Sequence, residues 1–570
     1  MSMFNKHKMT TLSLTLALAL AGVLLLLALL SASSPAHAAP LITRYVATMG
    51  VNGSNDCTNS TNPCRTVQHA VDVSAHGNLI LVARGIYTDL HACPVPPGYF
   101  DPPSGDVITQ VLYISKTVTI RGGYTAAFTN PPDPEANPTT LSVPKGRYAR
   151  VIFIAGDINP TLRGLRITGG DATGLGGAWG NHDGGGGVFI ITATATLETN
   201  WVYGNTAYDG GGLYLWESAS TFNQNTIVSN TATFGGGLSL RSSDATLDGN
   251  VILSNTADYG GGGAYLNYSN ATLNGNTVVS NSGGIGGGLR LDWQSDATLT
   301  GNTIASNTAD YEGGGVNLNY SAATLVSNTI RANVADNGGG LKLENDSRAT
   351  LRANTIVSNT AYDGGGLYIR YSDPRLENNI VMSNTASQGS GLYLENSDAV
   401  LTNTVIVGNR VSGSGSGSGV YVMASSPRLL HTTIARNGGS GVRVVEYALL
   451  RYSNATLINT ILVSHTVGIT VTAGNTATLE GTLWYGNSAD WSGAGALFTG
   501  TRNYWGNPLF AADGYHLLTG STAINRGLSV GVATDMDGES RPDCVSVDIG
   551  ADEVYGLTCW RTCLPLILRD

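Results

Sequence analysis

The amino-acid sequence predicts an all-β solenoid in which short parallel strands, three to a coil, stack along one axis. Three observations predict it. Glycine fills 75 of 570 positions without a strict triplet period, which rules out collagen and marks many tight turns. Charged residues make up only 12% and form no helical stretch, so a bundle is disfavoured, while 42% apolar content excludes disorder. Above all, glycine-rich triplets followed by an apolar residue recur at Val188, Leu213, Leu238, Ala264, Leu289, Val316, Leu341, Leu367, Leu392, Val420 and Val442. The spacings are 25, 25, 26, 25, 27, 25, 26, 25, 28 and 22 residues. At such a period no unit buries its own apolar face, and each relies on its neighbours.

Each unit carries three strand-length runs, as in Leu213-Tyr214-Leu215, Ser220-Thr221-Phe222 and Thr226-Ile227-Val228, parted by Gly, Asn, Ser and Asp. Side chains alternate along a strand, so Leu213 and Leu215 point inward while Tyr214 and Trp216 point outward. Stacked at about 4.8 Å per rung, the inward positions form aliphatic columns. The first strand gives Leu215, Leu240 and Leu266, the second Leu247, Leu273 and Leu299, the third Ile227, Ile252 and Val278, each continuing down the chain. Two asparagine columns, one through Asn225, Asn250 and Asn276 and one through Asn230, Asn255 and Asn281, suit a left-handed turn repeated on every rung.

Outside the repeats, Lys6, His7 and Lys8 precede an apolar run from Leu14 to Leu30 and then Ala36-His37-Ala38. That is the order of a secretory signal cleaved after Ala38, with an uncleaved anchor as the alternative. The expected segments are a signal at 1–38, an N-terminal cap and first coils at 39–130, regular coils at 131–500, a C-terminal cap at 501–556 and a tail at 557–570. Six cysteines cluster near the two ends, and an even number in an exported chain suggests disulfides. Cys57–Cys64 and Cys559–Cys563 are the local pairs, with connectivity open. A net charge of −10 disfavours nucleic acid as a partner.

Thr66-Val67-Gln68-His69-Ala70-Val71-Asp72 followed by Asn78-Leu79-Ile80-Leu81-Val82 resembles the capping helix and first strand of the right-handed single-stranded parallel β-helix proteins of the pectin-lyase-like superfamily. The resemblance spans roughly residues 45–500. Asn507-Pro508-Leu509-Phe510, Asp535-Met536-Asp537-Gly538, Arg541-Pro542 and Val547-Asp548-Ile549-Gly550-Ala551-Asp552-Glu553 resemble the "choice-of-anchor Q" region of exported bacterial β-helix proteins. Together the resemblances imply a bacterial secreted or cell-surface protein. They do not imply an activity, since this architecture hosts lyases, hydrolases, adhesins and passive spacers alike.

A site is therefore sought on the outward face of the first strand. Tyr214, Trp216, Tyr265, Tyr368 and Tyr393 stand there, with Tyr268, Trp293, Tyr320 and Tyr371 in the following turn, and such rings could stack on sugars or simply protect an exposed sheet. The same face carries Arg290, Asp292, Lys342 and Glu344, which would serve as acid, base and charge stabiliser were the face catalytic. Asp292 and Glu344 fall two rungs apart, about 9–10 Å, near the upper end of an inverting carboxylate pair. Solvated cross-strand ion pairs account for the same residues. Carboxylates at Asp183, Asp209, Asp258, Asp310, Glu312, Asp336 and Asp363 read as turn formers more than calcium ligands. Asp535 and Asp537 begin like a calcium loop without the later Glu, so Ca²⁺ is the one cofactor left open. The coils run without long inserted loops from Gly185 to Asn409. The expectation is a monomeric glycan-binding or adhesive surface protein without catalysis, partnered by an extracellular polysaccharide, with a polysaccharide lyase or hydrolase and a passive stalk as alternatives.

Overall fold

A computed structural model describes residues 41–103, 105–413, 417–447 and 451–556. The expected signal at 1–38, Cys559, Cys563 and the tail at 557–570 lie outside the described residues. The chain divides into two units, Met1–Thr43 and Arg44–Asp570, and the coils belong to the second.

Thr66 caps the helix Val67–Asp72, its hydroxyl accepting from His69 N at 3.2 Å. Val67, Ala70 and Val71 turn inward and open the core at this end. From there the chain winds into three long sheets, of 17, 16 and 16 strands among the described residues. Pairing within the coils is parallel and in register, Leu213 with Leu238, Phe222 with Leu247 and Ile227 with Ile252. The predicted aliphatic columns all lie in one contiguous buried cluster that includes Leu240, Leu299 and Ile304.

The asparagine columns show why each coil turns where it does. Asn225 Nδ2 donates to Asn250 Oδ1 at 3.0 Å and to the Leu197 carbonyl at 2.8 Å, while its own N–H donates to that same Oδ1 at 2.9 Å. The residues before them, Gln224 and Ser229, hold positive φ, so each turn reverses in two residues. One ladder runs from Asn200 to Asn379 and the other from Asn205 to Asn437, each beginning a rung before the predicted columns. The glycine triplets permit close approach: a Cβ at Gly237 would meet the Gly263 carbonyl oxygen at 2.5 Å.

Three departures from expectation follow from segments that break the period. First, the turn after the third strand is itself a short sheet over four coils, Thr231–Phe234, Thr256–Gly260, Ser282–Ile285 and Thr308–Glu312. These turns differ in length, so Asp209 stands in register with Phe234, Phe234 with Gly260 and Ile285 with Glu312. Asp209, Glu312 and Asp363 therefore share one register column, interrupted by Phe234, Gly260, Ile285 and Asn337, while Asp183, Asp258, Asp310 and Asp336 fall outside it.

Second, the earliest outward first-strand positions, Phe153, Phe189 and Tyr214, are roofed. Tyr214 is wholly buried in a second cluster with Phe153, Phe189 and Ala178, beneath the partly buried Tyr99. The roof comes from the excursion that includes the hairpin His91–Pro94 and Val107–Ile114.

Third, residues 507–556, expected as an end cap, lie along the side of the coils. Leu517, Ala523, Ile549 and Ala551 pack instead on Val405, Ala435, Ile461 and Leu483, the outer face of the third sheet. Buried Arg541 pins this segment through Glu553 at 2.8 Å and three carbonyls. Cys57 and Cys64 form the expected disulfide. Cys544 is also disulfide-bonded, Cys93 is a buried free thiol, and the Cys559–Cys563 pairing falls outside the described residues.

Candidate functional site

On the outer face of the first sheet most predicted site residues neutralise one another. Arg290 bonds Asp292 at 2.8 Å, and both are nearly buried. Asp292 also accepts from Tyr265 Oη and Asn319 Nδ2, each at 3.3 Å, and burial pushes its carboxyl up against the pull of Arg290. Lys342 is buried between Glu312 and Glu344, the latter at 3.0 Å. Asp292, Asn319 and Glu344 follow one another in register, so the two carboxylates do lie two rungs apart. Each is held by its own cation, an arrangement that fixes the side chains.

The predicted aromatics divide into two groups. Tyr265, Tyr368 and Tyr393 are buried like Tyr214: Tyr368 stacks on Tyr393 at 4.7 Å, Tyr393 on Tyr421 at 4.8 Å, and Tyr368 Oη donates to Glu395. The rings of Tyr368 and Tyr393 are taken up in holding the sheet, and Tyr265 shows only a sliver of its ring. Trp216 and Trp293 remain accessible, Trp293 at 46%.

Around these two the structure assembles a cleft of about 660 Å³ that sequence reasoning only partly reached. Its floor is Arg241 and Tyr265, on adjacent rungs of the sheet from Arg241 through Asn267. Arg241 Nε bonds the buried Asp209 at 2.7 Å, which also accepts from Ser239 Oγ at 2.7 Å. Burial pushes the Asp209 carboxyl up while Arg241 pulls it back. One wall is a two-residue hairpin, Gly177–Ala178 against His182–Asp183, with Trp179 at its tip and 62% exposed. Asp183 anchors it by accepting from Gly174 N at 3.0 Å and Gly176 N at 2.7 Å, and the His182 ring stacks on Tyr208 at 3.7 Å.

The opposite wall is the turn after the first strand, where every rung places a residue in the left-handed region and two rungs add a second, Gln294 and Asp346. That column runs Glu217, Ser242, Tyr268, Trp293, Tyr320, Asn345 and Tyr371, with φ between 48° and 52°. A bulky side chain costs about 1–2 kcal/mol there relative to glycine. Nevertheless Tyr268, Trp293 and Tyr320 occupy three successive rungs, 52%, 46% and 43% exposed, with Trp293 and Tyr320 stacked at 4.7 Å. Folding alone would be served as well by Asn or Gly.

At the C-terminal segment the two predicted calcium residues have separate roles. Asp535 is buried and its oxygens accept from Asp537 N, Glu539 N and Glu553 N at 2.8–3.0 Å, so it shapes the turn. Asp537 instead reaches His516 Nε2 at 2.8 Å. His516, Asp537 and Asp552 bring their ligand atoms within 4.8 Å of one another, and these three could hold a small divalent cation. Burial pushes Asp552 up to about 7, and His516 is lowered by burial but raised overall by Asp513 and Asp537.

Residues 152–304 and 286–430 match a family model described as a right handed beta helix region. No curated protein sequence matches the chain. Similar solved structures include pectate lyase Pel9A, 15% identical over 90% of this chain and 96% of that one, with a TM-score of 0.23. A mutant of the periplasmic alginate epimerase AlgG is 12% identical over 77% and 97%, with a TM-score of 0.36. PfbA, a surface adhesin of Streptococcus pneumoniae, is 11% identical over 75% and 87%, with a TM-score of 0.26. Likenesses this low carry no information on activity. The fold is a right-handed parallel β-helix, all-β apart from its short capping helix.

Proposed function

We propose that the chain is an exported, surface-associated β-helix that binds extracellular glycan in the cleft between Trp179, Trp216, Tyr268 and Trp293, without cleaving it. The observation that carries this reading is the half-exposed aromatic column Tyr268, Trp293 and Tyr320, held at positive φ where folding favours smaller residues. Its rungs repeat at about 4.8 Å, and with Trp293 and Tyr320 stacked on one another the column presents a continuous apolar ridge along the axis. Sugar rings have apolar faces to stack on such a row and hydroxyls to bond Arg241 and Asn267 beneath.

Absence of catalysis is supported by the pairing of Asp209, Asp292 and Glu344 with Arg241, Arg290 and Lys342. The sequence of Lys6 to Ala38 and the residues shared with choice-of-anchor Q regions support export and a surface location. Among the described residues no helix is long and apolar enough to cross a membrane. Size-exclusion chromatography of a polysaccharide panel with the chain, with and without Ca²⁺, tests the reading. Co-elution with polymer of unchanged length is expected. Shortened polymer, absent after boiling the protein, would replace binding by cleavage, and no co-elution across the panel would leave a passive stalk.

A further inference from the structure

Three turns of the C-terminal segment meet at His516, Asp537 and Asp552, whose ligand atoms all lie within 4.8 Å of one another. Each turn is fixed by bonds of its own. The first is closed by Ala511 N donating to the His516 carbonyl at 2.7 Å, and Arg436 holds it to the coils through the Gly514 carbonyl at 2.6 Å. Asp537 stands in the turn that Asp535 shapes, its N–H donating to Asp535 Oδ1 at 2.9 Å. Asp552 follows Ala551, whose carbonyl accepts from Met536 N at 3.0 Å and so ties the second turn to the third.

The imidazole is aimed at this meeting point. Its Nδ1 bonds Asp513 Oδ2 at 2.5 Å, and the other oxygen of Asp513 accepts from Tyr515 N at 3.0 Å and His516 N at 3.1 Å. A carboxylate on one ring nitrogen is the usual orienting partner of a metal-bound histidine, and it leaves Nε2 as the ligand atom. Nε2 faces Asp537 Oδ2 at 2.8 Å. Lone pair against lone pair at that distance requires positive charge between them, either a proton on Nε2 or a metal ion. Asp552 decides between the two. It is 5% exposed, one of its oxygens accepts from Leu517 N at 2.6 Å, and the other meets no donor among the described residues. Nor does any Lys or Arg there lie within 4.0 Å of Asp513, Asp537 or Asp552. A proton on Nε2 answers Asp537 alone and leaves Asp552 a buried carboxylate without a counter-charge, whereas an ion touching all three answers both. The donor set names the class of ion. One imidazole nitrogen with two carboxylate oxygens suits Zn²⁺ and similar transition ions, while Ca²⁺ takes about six to eight oxygens. Ligands of Zn²⁺ stand about 2.0–2.2 Å from the ion, and Asp537, being exposed, is free to close onto it. Asp535, the first residue of the calcium-like run, is spent on backbone donors and takes no part.

We propose that His516, Asp537 and Asp552 bind one transition-metal ion of the Zn²⁺ class, with Asp513 positioning the imidazole, and that the ion staples three turns of the segment lying along the third sheet. The proposal is independent of the glycan reading. Isothermal titration of the full chain, made without a histidine tag and stripped with EDTA, against zinc chloride and calcium chloride tests it. One Zn²⁺ per chain is expected, bound at least about 10-fold more tightly than Ca²⁺, with the thermal midpoint rising as free Zn²⁺ rises. His516→Gln should abolish that binding, and Asp513→Asn, which only releases the ring, should weaken it by about 10-fold, both with circular dichroism unchanged. Asp552→Asn should abolish it too, and since that residue is buried, the exposed Asp537→Asn carries the same test should Asp552→Asn fail to fold. His76→Gln, near the capping helix, should leave zinc uptake as it was. Uptake of no zinc, uptake untouched by His516→Gln, or Ca²⁺ bound as tightly as Zn²⁺ would each overturn the proposal, and none of these results bears on the glycan reading.

Discussion

The asparagine ladders and the outer face of the first sheet are built on the same rungs, yet they differ in what repeats. Along a ladder every rung repeats the same side chain and the same bonds, Asn276 to Asn302 to Asn328, each near 3.0 Å. Across the sheet the outward position reads Tyr214, Ser239, Tyr265, Arg290, Asn317 and Lys342 on successive rungs. Repetition holds the coils together, and variation is where an individual surface can be made. The varied face nevertheless spends most of its charges on internal pairs, so what is left for a ligand is the αL aromatic column and the pieces that interrupt the period.

Variants can break that contrast in order of severity. Arg290→Gln strands Asp292, a buried carboxylate, and should cost about 3–5 kcal/mol, read as a lower urea midpoint at pH 7 that partly recovers in acid. A midpoint unchanged within error would show that the outer charges are solvated decoration. Asn302→Ala removes the acceptor of Asn276 N at 2.8 Å and the donor to Leu273 O at 2.8 Å. Buried groups left unpaired on both neighbours should lower stability by about 3 kcal/mol, and a loss no greater than for an exposed Asn would remove the ladder from the account.

A smaller and opposite effect is expected at Asp363. Burial, with Glu395 nearby, pushes its carboxyl up to about 6, and one of its buried oxygens meets no donor among the described residues. The native state therefore binds more protons than the unfolded chain between the ordinary carboxylate range and pH 6. Stability conferred by the protonated form is present at low pH and lost as pH rises through that window. Asp363→Asn should flatten this slope and raise stability at pH 7.5 by about 1 kcal/mol, allowing for solvent screening of a half-buried group. An unaltered pH profile would contradict the burial argument.

Much of the architecture was legible in the sequence because it is written once per coil. The apolar columns and both asparagine ladders follow from spacing, whereas the capping helix after Thr66 is what the family resemblance implies and Cys57–Cys64 is one local pair among connectivities the sequence leaves open. The candidate site was less legible because the pieces that build or cover it occur once. Tyr214 points outward, as alternation requires, but the excursion carrying Tyr99 buries it, and no period announces that excursion. Trp179 and His182 reach the cleft on a hairpin that interrupts the count before Val188. The turn aromatics Tyr268 and Trp293 were visible as a row. Their left-handed backbone, which turns that row into an argument, was not. Nor could periodicity reveal that residues 507–554 lie along the third sheet, since Arg541 and Glu553 act through contacts distant in sequence.

The central claim is that accessible aromatics at the first cleft, and not the charged rungs, make the ligand surface. Native affinity electrophoresis through gels cast with polysaccharide tests it most directly, comparing the chain with its Trp179→Ala/Trp293→Ala variant. Both side chains are largely exposed, so the variant's thermal midpoint should stay close to that of the unaltered chain. The account predicts that the chain is retarded by at least one neutral polysaccharide and that the variant migrates through that gel as in an empty one. Retardation undiminished in a folded variant would contradict it.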